Sequence, residues 1–223
     1  MSTIYSHASD SYVTNATTDG SWNHAQGGAT TDGAVQNSSA LNSIIGVYAA
    51  NVGSRGSDDY KCYRSYFVFG LGAESGTVDS ATISIYMDNL GTSSGNSAGA
   101  LIVEATALDD GVEDHGNVFS SGVTWHNDIS DIISVSTTAG YHTFTMNSDG
   151  ITLIQNAVGS GDVTVGLVSS HYDYGEQVPL TGGDYSQFRV WYSNTLGTSL
   201  DPKMDITYAA VAADNATFFG ANF

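Results

Sequence analysis

Basic residues are nearly missing from this chain of 223 residues: Lys and Arg together number 5, against 23 Asp and Glu, for a formal net charge of −18. The imbalance is a shortage of bases, because charged residues make up only 13% of the chain where about a quarter is usual. Binding through phosphate neutralisation needs clustered cations, and Arg55, Lys61, Arg64, Arg189 and Lys203 are too few to build such a surface. Nucleic acid and anionic membranes are therefore excluded as partners. A single cysteine, Cys62, rules out an intrachain disulfide, and its place in the apolar run Lys61 to Phe69 reads as a small buried hydrophobe. Proline is nearly absent too, Pro179 and Pro202 being the only two, so no Pro-rich linker divides the chain. Long apolar runs are also missing. The longest, Ile44 to Ala50, is interrupted by Gly46 and cannot span a bilayer, and the start Met1 to His7 carries neither the basic nor the apolar region of a secretory signal.

What is abundant is Gly (26 residues) and aromatic side chains (13 Tyr, 8 Phe, 3 Trp), enough apolar surface for one sizeable core. Period-two alternation recurs along the chain. In Ala81 to Asp88 the residues Ala81, Ile83, Ile85 and Met87 share one face while Thr82, Ser84 and Asp88 share the other, the mark of a half-buried strand. Similar runs are Ser43 to Ala49, Tyr63 to Phe69, Leu101 to Ala107, Gly122 to Trp125, Tyr141 to Met146, Val163 to Ser169, Phe188 to Tyr192 and Met204 to Tyr208, each bounded by turn residues. Only Asp149 to Gly159 reads as helical, with Asp149 as N-cap, Ile151, Ile154 and Val158 on one face, and Gly159 as the stop. Many short strands with one short helix predict an all-β, antiparallel sandwich formed by one domain over residues 1–208.

Two segments break the alternation. Asn15 to Asn42 is rich in Thr, Gly, Asn, Ser and Ala, with Trp22, Val35 and Leu41 as its only large apolar residues, and it reads as a long surface loop. The stretch after Tyr208, residues 209–223, is a C-terminal arm carrying Phe218, Phe219 and Phe223. Such a tail is poorly suited to open solvent. It either folds back over its own sandwich or docks on another subunit through those three phenylalanines.

Taken in order, Arg64 to Phe69, Val78 to Tyr86, Val123 to Asn127, Tyr141 to Phe144, Ile151 to Ala157 and the closing strand Pro202 to Tyr208 resemble the disaggregatase-related (DNRLRE) repeat domains. Asp10 to Val13 looks like that family's first strand, so the resemblance runs from about residue 10 to residue 208. It implies a jelly-roll β-sandwich with a carbohydrate-binding or surface-adhesive role and no catalytic activity of its own. It also places Trp125 and Trp191 in strand motifs, as core residues.

Chemical motifs are sparse. Gly91 to Gly95 has the G-x-S-x-G spelling of a nucleophile elbow, but the strand-to-helix turn that strains such a serine is missing from its Gly/Ser-rich surroundings. The histidines His7, His24, His115, His126, His142 and His171 follow no zinc spacing. Asp109, Asp110, Glu113 and Asp114 form the densest acidic cluster. Ca²⁺ takes several carboxylate and carbonyl oxygens from one flexible loop, so the cluster is either a solvated loop or a Ca²⁺ site, the one metal cofactor for which a ligand set presents itself. A second cation candidate would bring Asp10 near Asp201 or Asp205. Sugar recognition needs aromatic platforms flanked by hydrogen-bonding groups. Tyr172 and Tyr174 beside His171, together with Trp22, have that character, and half-buried core is the competing account for each.

Three functional expectations follow. The first is a virion structural protein, a capsid decoration subunit or fibre module of a bacteriophage, with other virion proteins or its own copies as partners. The second is a free carbohydrate-binding module that recognises cell-surface or mucus polysaccharide. The two are compatible, since a particle can use such a sandwich for adhesion at its extracellular surface. The third, a glycosidase or lyase, needs paired carboxylates across a cleft, and no motif supplies them; the expectation is a protein that is not an enzyme.

Overall fold

The computed structural model describes residues 1–6, 10–17, 21–25, 34–37, 43–53, 58–92, 99–105, 119–121, 124–125, 127–135, 138–180, 183–192 and 199–210. Its elements in chain order are β1 (Ser2–Tyr5), β2 (Ser11–Thr17), the helical turn α1 (Trp22–Ala25), β3 (Ala34–Asn37), β4 (Ser43–Asn51), β5 (Tyr60–Gly70), β6 (Val78–Thr92), β7 (Gly99–Glu104), β8 (Phe119–Ser121), β9 (Thr124–Trp125), β10 (Ile133–Ser134), β11 (Gly140–Thr145), the helix α2 (Ser148–Ala157), β12 (Asp162–Ser169), a π-helical turn (Ser170–Tyr174), β13 (Tyr185–Trp191) and β14 (Lys203–Tyr208). Every strand pairing is antiparallel, and the expected all-β sandwich is what forms.

The sheet runs β1-β14-β6-β13-β4-β5-β12-β7-β10, with β11 on β6, β2 on β5 and β3 on β2. Two long strands hold it together. Residues 82–84 of β6 pair with both β14 and β11, and Met87 pairs with both β11 and β13. A strand has two edges, so β14 and β13 lie end to end along one edge of β6 with β11 on the other. By the same logic β4 and β12 follow one another along one edge of β5, opposite β2. The sheet thereby curls around one core drawn from β4 to β7 and β11 to β14, including Val47, Phe67, Ile83, Ile102, Phe144, Val165, Phe188 and Met204. Each such side chain contributes roughly 1.5–3 kcal/mol by leaving water.

The two sides of the sandwich differ on the outside. Residues of β5, β7 and β12 are buried on both faces, with Tyr66, Val68, Leu101, Val103 and Val168 forming a second cluster behind the main core. In β13 the pattern alternates strictly: Ser186, Phe188 and Val190 are buried, while Tyr185, Gln187, Arg189 and Trp191 are half exposed. The outer face of β13 and its neighbours is therefore the solvent-facing one.

The helix corrects one expectation. Its N-cap is Asn147, not Asp149: Asn147 has an extended backbone and its side-chain oxygen accepts from the Asp149 and Gly150 amides, both at 3.0 Å. Asp149 sits instead in the first turn, where its charge favours the helix dipole. Ile154 is buried, Ile151 and Val158 pack on the core, and Gly159, at φ 74°, ends the helix as expected. Replacing Asn147 by Ala is expected to cost about 1 kcal/mol, read as a lower urea midpoint with an unchanged slope.

The segment 15–42 is not simply a loop. β2 continues to Thr17, α1 follows, and β3 pairs with β2 from Ala34 to Asn37. The closing arm beyond residue 210, with Phe218, Phe219 and Phe223, lies outside the described residues.

Candidate functional site

Two of the four residues that the sequence offers for sugar binding do converge, but inside the protein. Trp22 and Tyr172 belong to one buried cluster with Ala25, Ala49, Tyr60 and Cys62. Trp22 is 4% exposed and Tyr172 2%, and the Trp22 ring meets Tyr60 edge-on at 5.6 Å. Neither ring has a free face to stack on, so both are corrected to core. His171 packs edge-on against Tyr172 at 4.7 Å, and Tyr174 packs on the second cluster; both are half-buried.

What anchors this turn is an ion pair. Arg64 donates through Nε to Asp173 Oδ2 at 2.8 Å and through Nη2 to Oδ1 at 2.7 Å, with side-chain exposures of 0% and 2%. Burial, the largest influence, pulls the Arg64 pKa down, but the Asp173 carboxylate and its hydrogen bonds offset that, and the net direction is upward. Burial first and Asp173 second push the neighbouring Cys62 thiol well up, which keeps it protonated and inert as a nucleophile.

Asp109, Asp110, Glu113 and Asp114 lie outside the described residues. Among the described residues no three His, Cys, Asp or Glu side chains gather in an arrangement that could hold a metal. Asp10 is buried and accepts from Ser6 Oγ at 2.6 Å and from the Val68 amide at 3.1 Å. Asp205 accepts from Thr3 Oγ1 and stands 3.7 Å from Lys203 Nζ. Asp205 thus helps hold the first strand to the last, which pair from Ser2 to Tyr5 and Lys203 to Ile206, while Asp10 ties the chain after β1 to β5. A shallow groove of about 210 Å³ beside α2 is lined by Glu104, Asn127, Asp149, Thr152, Leu153 and Asn156; it presents carboxylates and amides but no aromatic ring.

The aromatic platform is elsewhere, on the half-exposed outer face. Tyr86 of β6 and Tyr141 of β11 are register partners, and their rings meet at 5.5 Å and 89°. Trp191 at the end of β13 meets the other side of Tyr86 at 6.1 Å and 89°. Its indole Nε1 donates to Asp88 Oδ2 at 3.2 Å, and Arg189 Nε stands 3.6 Å from Asp88 Oδ1. Lys203 Nζ lies 5.5 Å from the centre of the Tyr141 ring, within cation–π range. The Tyr141 hydroxyl donates to the Ser199 and Asp201 carbonyls at 3.2 and 3.0 Å, so the ring is held in place. Tyr141 is 38% exposed, and Tyr5, opposite Lys203 in register, is 42%. Burial, with smaller effects of Asp201, Tyr5 and Tyr86, raises the Tyr141 pKa, so its hydroxyl stays protonated at neutral pH. The result is a ledge of held aromatic rings bordered by Asp88, Arg189 and Lys203.

Trp191 thus corrects the expectation that it is core; the Trp125 side chain lies outside the described residues. The signal was present in the run Phe188 to Tyr192: if Phe188 and Val190 face inward, Trp191 shares the outward face with Arg189. On the opposite face of β11, burial lowers the His142 pKa, and a hydrogen bond to the Thr138 backbone partly offsets the shift. A histidine whose folded pKa lies below its unfolded value stabilises fully above about 6.5 and loses that contribution as pH falls below it. His142→Asn is therefore expected to flatten the loss of stability between about pH 7 and pH 5, measured as the change in urea midpoint.

No protein-family model matches the chain, and no curated protein does. Among the described residues no helix is long and apolar enough to cross a membrane.

Proposed function

We propose that this chain is a non-enzymatic glycan-binding sandwich that serves adhesion, carried on the surface of a virus particle as a decoration or fibre module. The observation that carries the glycan reading is the ledge of Tyr86, Tyr141 and Trp191, held edge to face on the half-exposed outer face of the sheet. Pyranose rings lay their C–H faces on such rings while their hydroxyls seek polar partners, and Asp88, Arg189 and Lys203 stand at the border to receive them. A rigid sheet face is a suitable support, because stacking needs no rearrangement on binding. The particle setting is supported by the single Gly-, Ser- and Thr-rich sandwich with few charges and by the aromatic arm carrying Phe218, Phe219 and Phe223. The jelly-roll path implied by the family resemblance belongs to the same proposal.

Two experiments test it. Affinity electrophoresis through gels containing neutral and acidic polysaccharides should retard the protein with at least one polymer, and Trp191→Ala should restore free migration. Mass spectrometry of sedimented, nuclease-treated particles should find the chain at a fixed copy number relative to the shell protein. Retardation without particle association would leave a free carbohydrate-binding module, and no retardation by any polymer would remove the glycan reading.

A further inference from the structure

The same outer face holds more than the ledge. At the other end of β13, Tyr185 and Gln187 lie over Gly91, where an added Cβ would come within 3.0 Å of the Tyr185 ring and 3.2 Å of the Gln187 amide. Gln187 is the register partner of Tyr48, and Tyr48 of Tyr63; the Tyr48 and Tyr63 rings meet at 5.3 Å. Tyr185 partners Ala50, which partners Lys61, and register partners share a face. A second aromatic group, bordered by Lys61, thus stands on the same face as the ledge. From Tyr185 to Trp191 is six residue steps of strand, about 20 Å at the usual rise, with the register against β4 and β6 shifting beside Arg189.

The cations have the same distribution. Four of the five basic residues are described. Arg64 is buried behind the sheet against Asp173. The three that reach solvent, Lys61, Arg189 and Lys203, all stand on this one face by register. Two of them stand beside carboxylates of the same face, Arg189 Nε 3.6 Å from Asp88 Oδ1 and Lys203 Nζ 3.7 Å from Asp205 Oδ2. At physiological salt, charges beyond about 8 Å are largely screened, so a ligand on this face meets these local groups, the three cations together with Asp88 and Asp205, more than the net charge of the whole chain.

Resting on the glycan reading above, we infer that the occupant is a linear acidic polysaccharide, lying along β13 from the Trp191 ledge past Arg189 and Gln187 to Tyr185, with its carboxylates or sulfates beside Lys203, Arg189 and Lys61. Two aromatic groups about 20 Å apart suit several consecutive sugars rather than one. The cations at both ends and in the middle suit a chain that carries charge in every repeat.

The test uses the full chain with polygalacturonate and hyaluronan, each native and carboxyl-reduced, and with galacturonate oligomers of two to six units. The native polymers should retard the protein and the reduced ones should do so at least tenfold more weakly. The hexamer should bind at least tenfold more tightly than the dimer. Lys61→Gln, a surface change remote from Trp191, should remove part of the hexamer affinity and leave the dimer unaffected; Tyr185→Ala should do the same, with its thermal midpoint measured alongside to separate binding from folding. If only neutral or carboxyl-reduced polymers bind, and Trp191→Ala abolishes that binding, the acidic assignment is overturned while the glycan reading stands. If dimer and hexamer bind equally and Lys61→Gln changes nothing, the extended path is overturned. If no native or reduced polymer binds, both the inference and the reading beneath it fall.

Discussion

Asp173→Ala is expected to destabilise the protein by about 3–5 kcal/mol, among the largest losses from any single change on this account. The carboxylate it removes is the bidentate partner of a guanidinium with no exposed side-chain surface. An isolated buried cation is far costlier than the pair, because the desolvation of Arg64 remains while the attraction that offset it is gone. The pair also ties β5 to the π-helical turn at Ser170–Tyr174, which seals Tyr172 against Trp22, Tyr60 and Cys62. Replacing both partners together with apolar residues of similar volume, Arg64→Met with Asp173→Leu, should recover most of the loss, since a buried pair and a packed apolar substitute are often close in energy. Urea unfolding of the single and double variants measures this directly. A single-variant loss under about 1 kcal/mol would mean that water reaches the pair.

Trp191→Ala should have the largest effect on binding. Truncating a stacking tryptophan at the centre of a binding surface costs about 2 kcal/mol or more, a loss on the order of 30-fold in affinity. Stability should change much less, because the indole is half exposed and lies on the outer face, with Phe188 and Val190 of the same strand filling the core. Trp22→Ala should show the reverse: Trp22 is buried in the inner cluster, so its truncation should cost roughly 3–5 kcal/mol of stability without touching the ledge. The contrast between the two tryptophans separates a binding residue from a packing one.

The sandwich was legible wherever alternation was local. Ile83, Ile85 and Met87 fall on one face of β6, and Val163, Val165 and Leu167 on one face of β12, and all six reach the main core. Strands β1 and β3 were not legible, because Ser2–Tyr5 and Ala34–Asn37 have little apolar periodicity and form by pairing with β14 and β2. The helix cap was placed at Asp149 rather than Asn147 because both residue types suit the position, and only backbone geometry selects between them. The site was harder still. Trp22 and Tyr172, beside polar residues, fitted either a sugar platform or half-buried core, and their burial comes from convergence with Ala49, Tyr60 and Cys62, which no local pattern displays. The ledge gathers positions 86, 141, 191 and 203 from four strands, and their adjacency exists only in the folded sheet.

The central claim is that glycan stacks on the outer ledge and not on the inner cluster, and the indole N–H resonances report it most directly. The protein has 3 tryptophans, so its indole region in a two-dimensional ¹H–¹⁵N spectrum is simple to assign by substitution. Titrating polysaccharide into labelled protein should shift the Trp191 signal progressively to saturation and leave the Trp22 signal in place. A shift at Trp22 with Trp191 unmoved, or no shift at either with polymer in excess, would contradict the account.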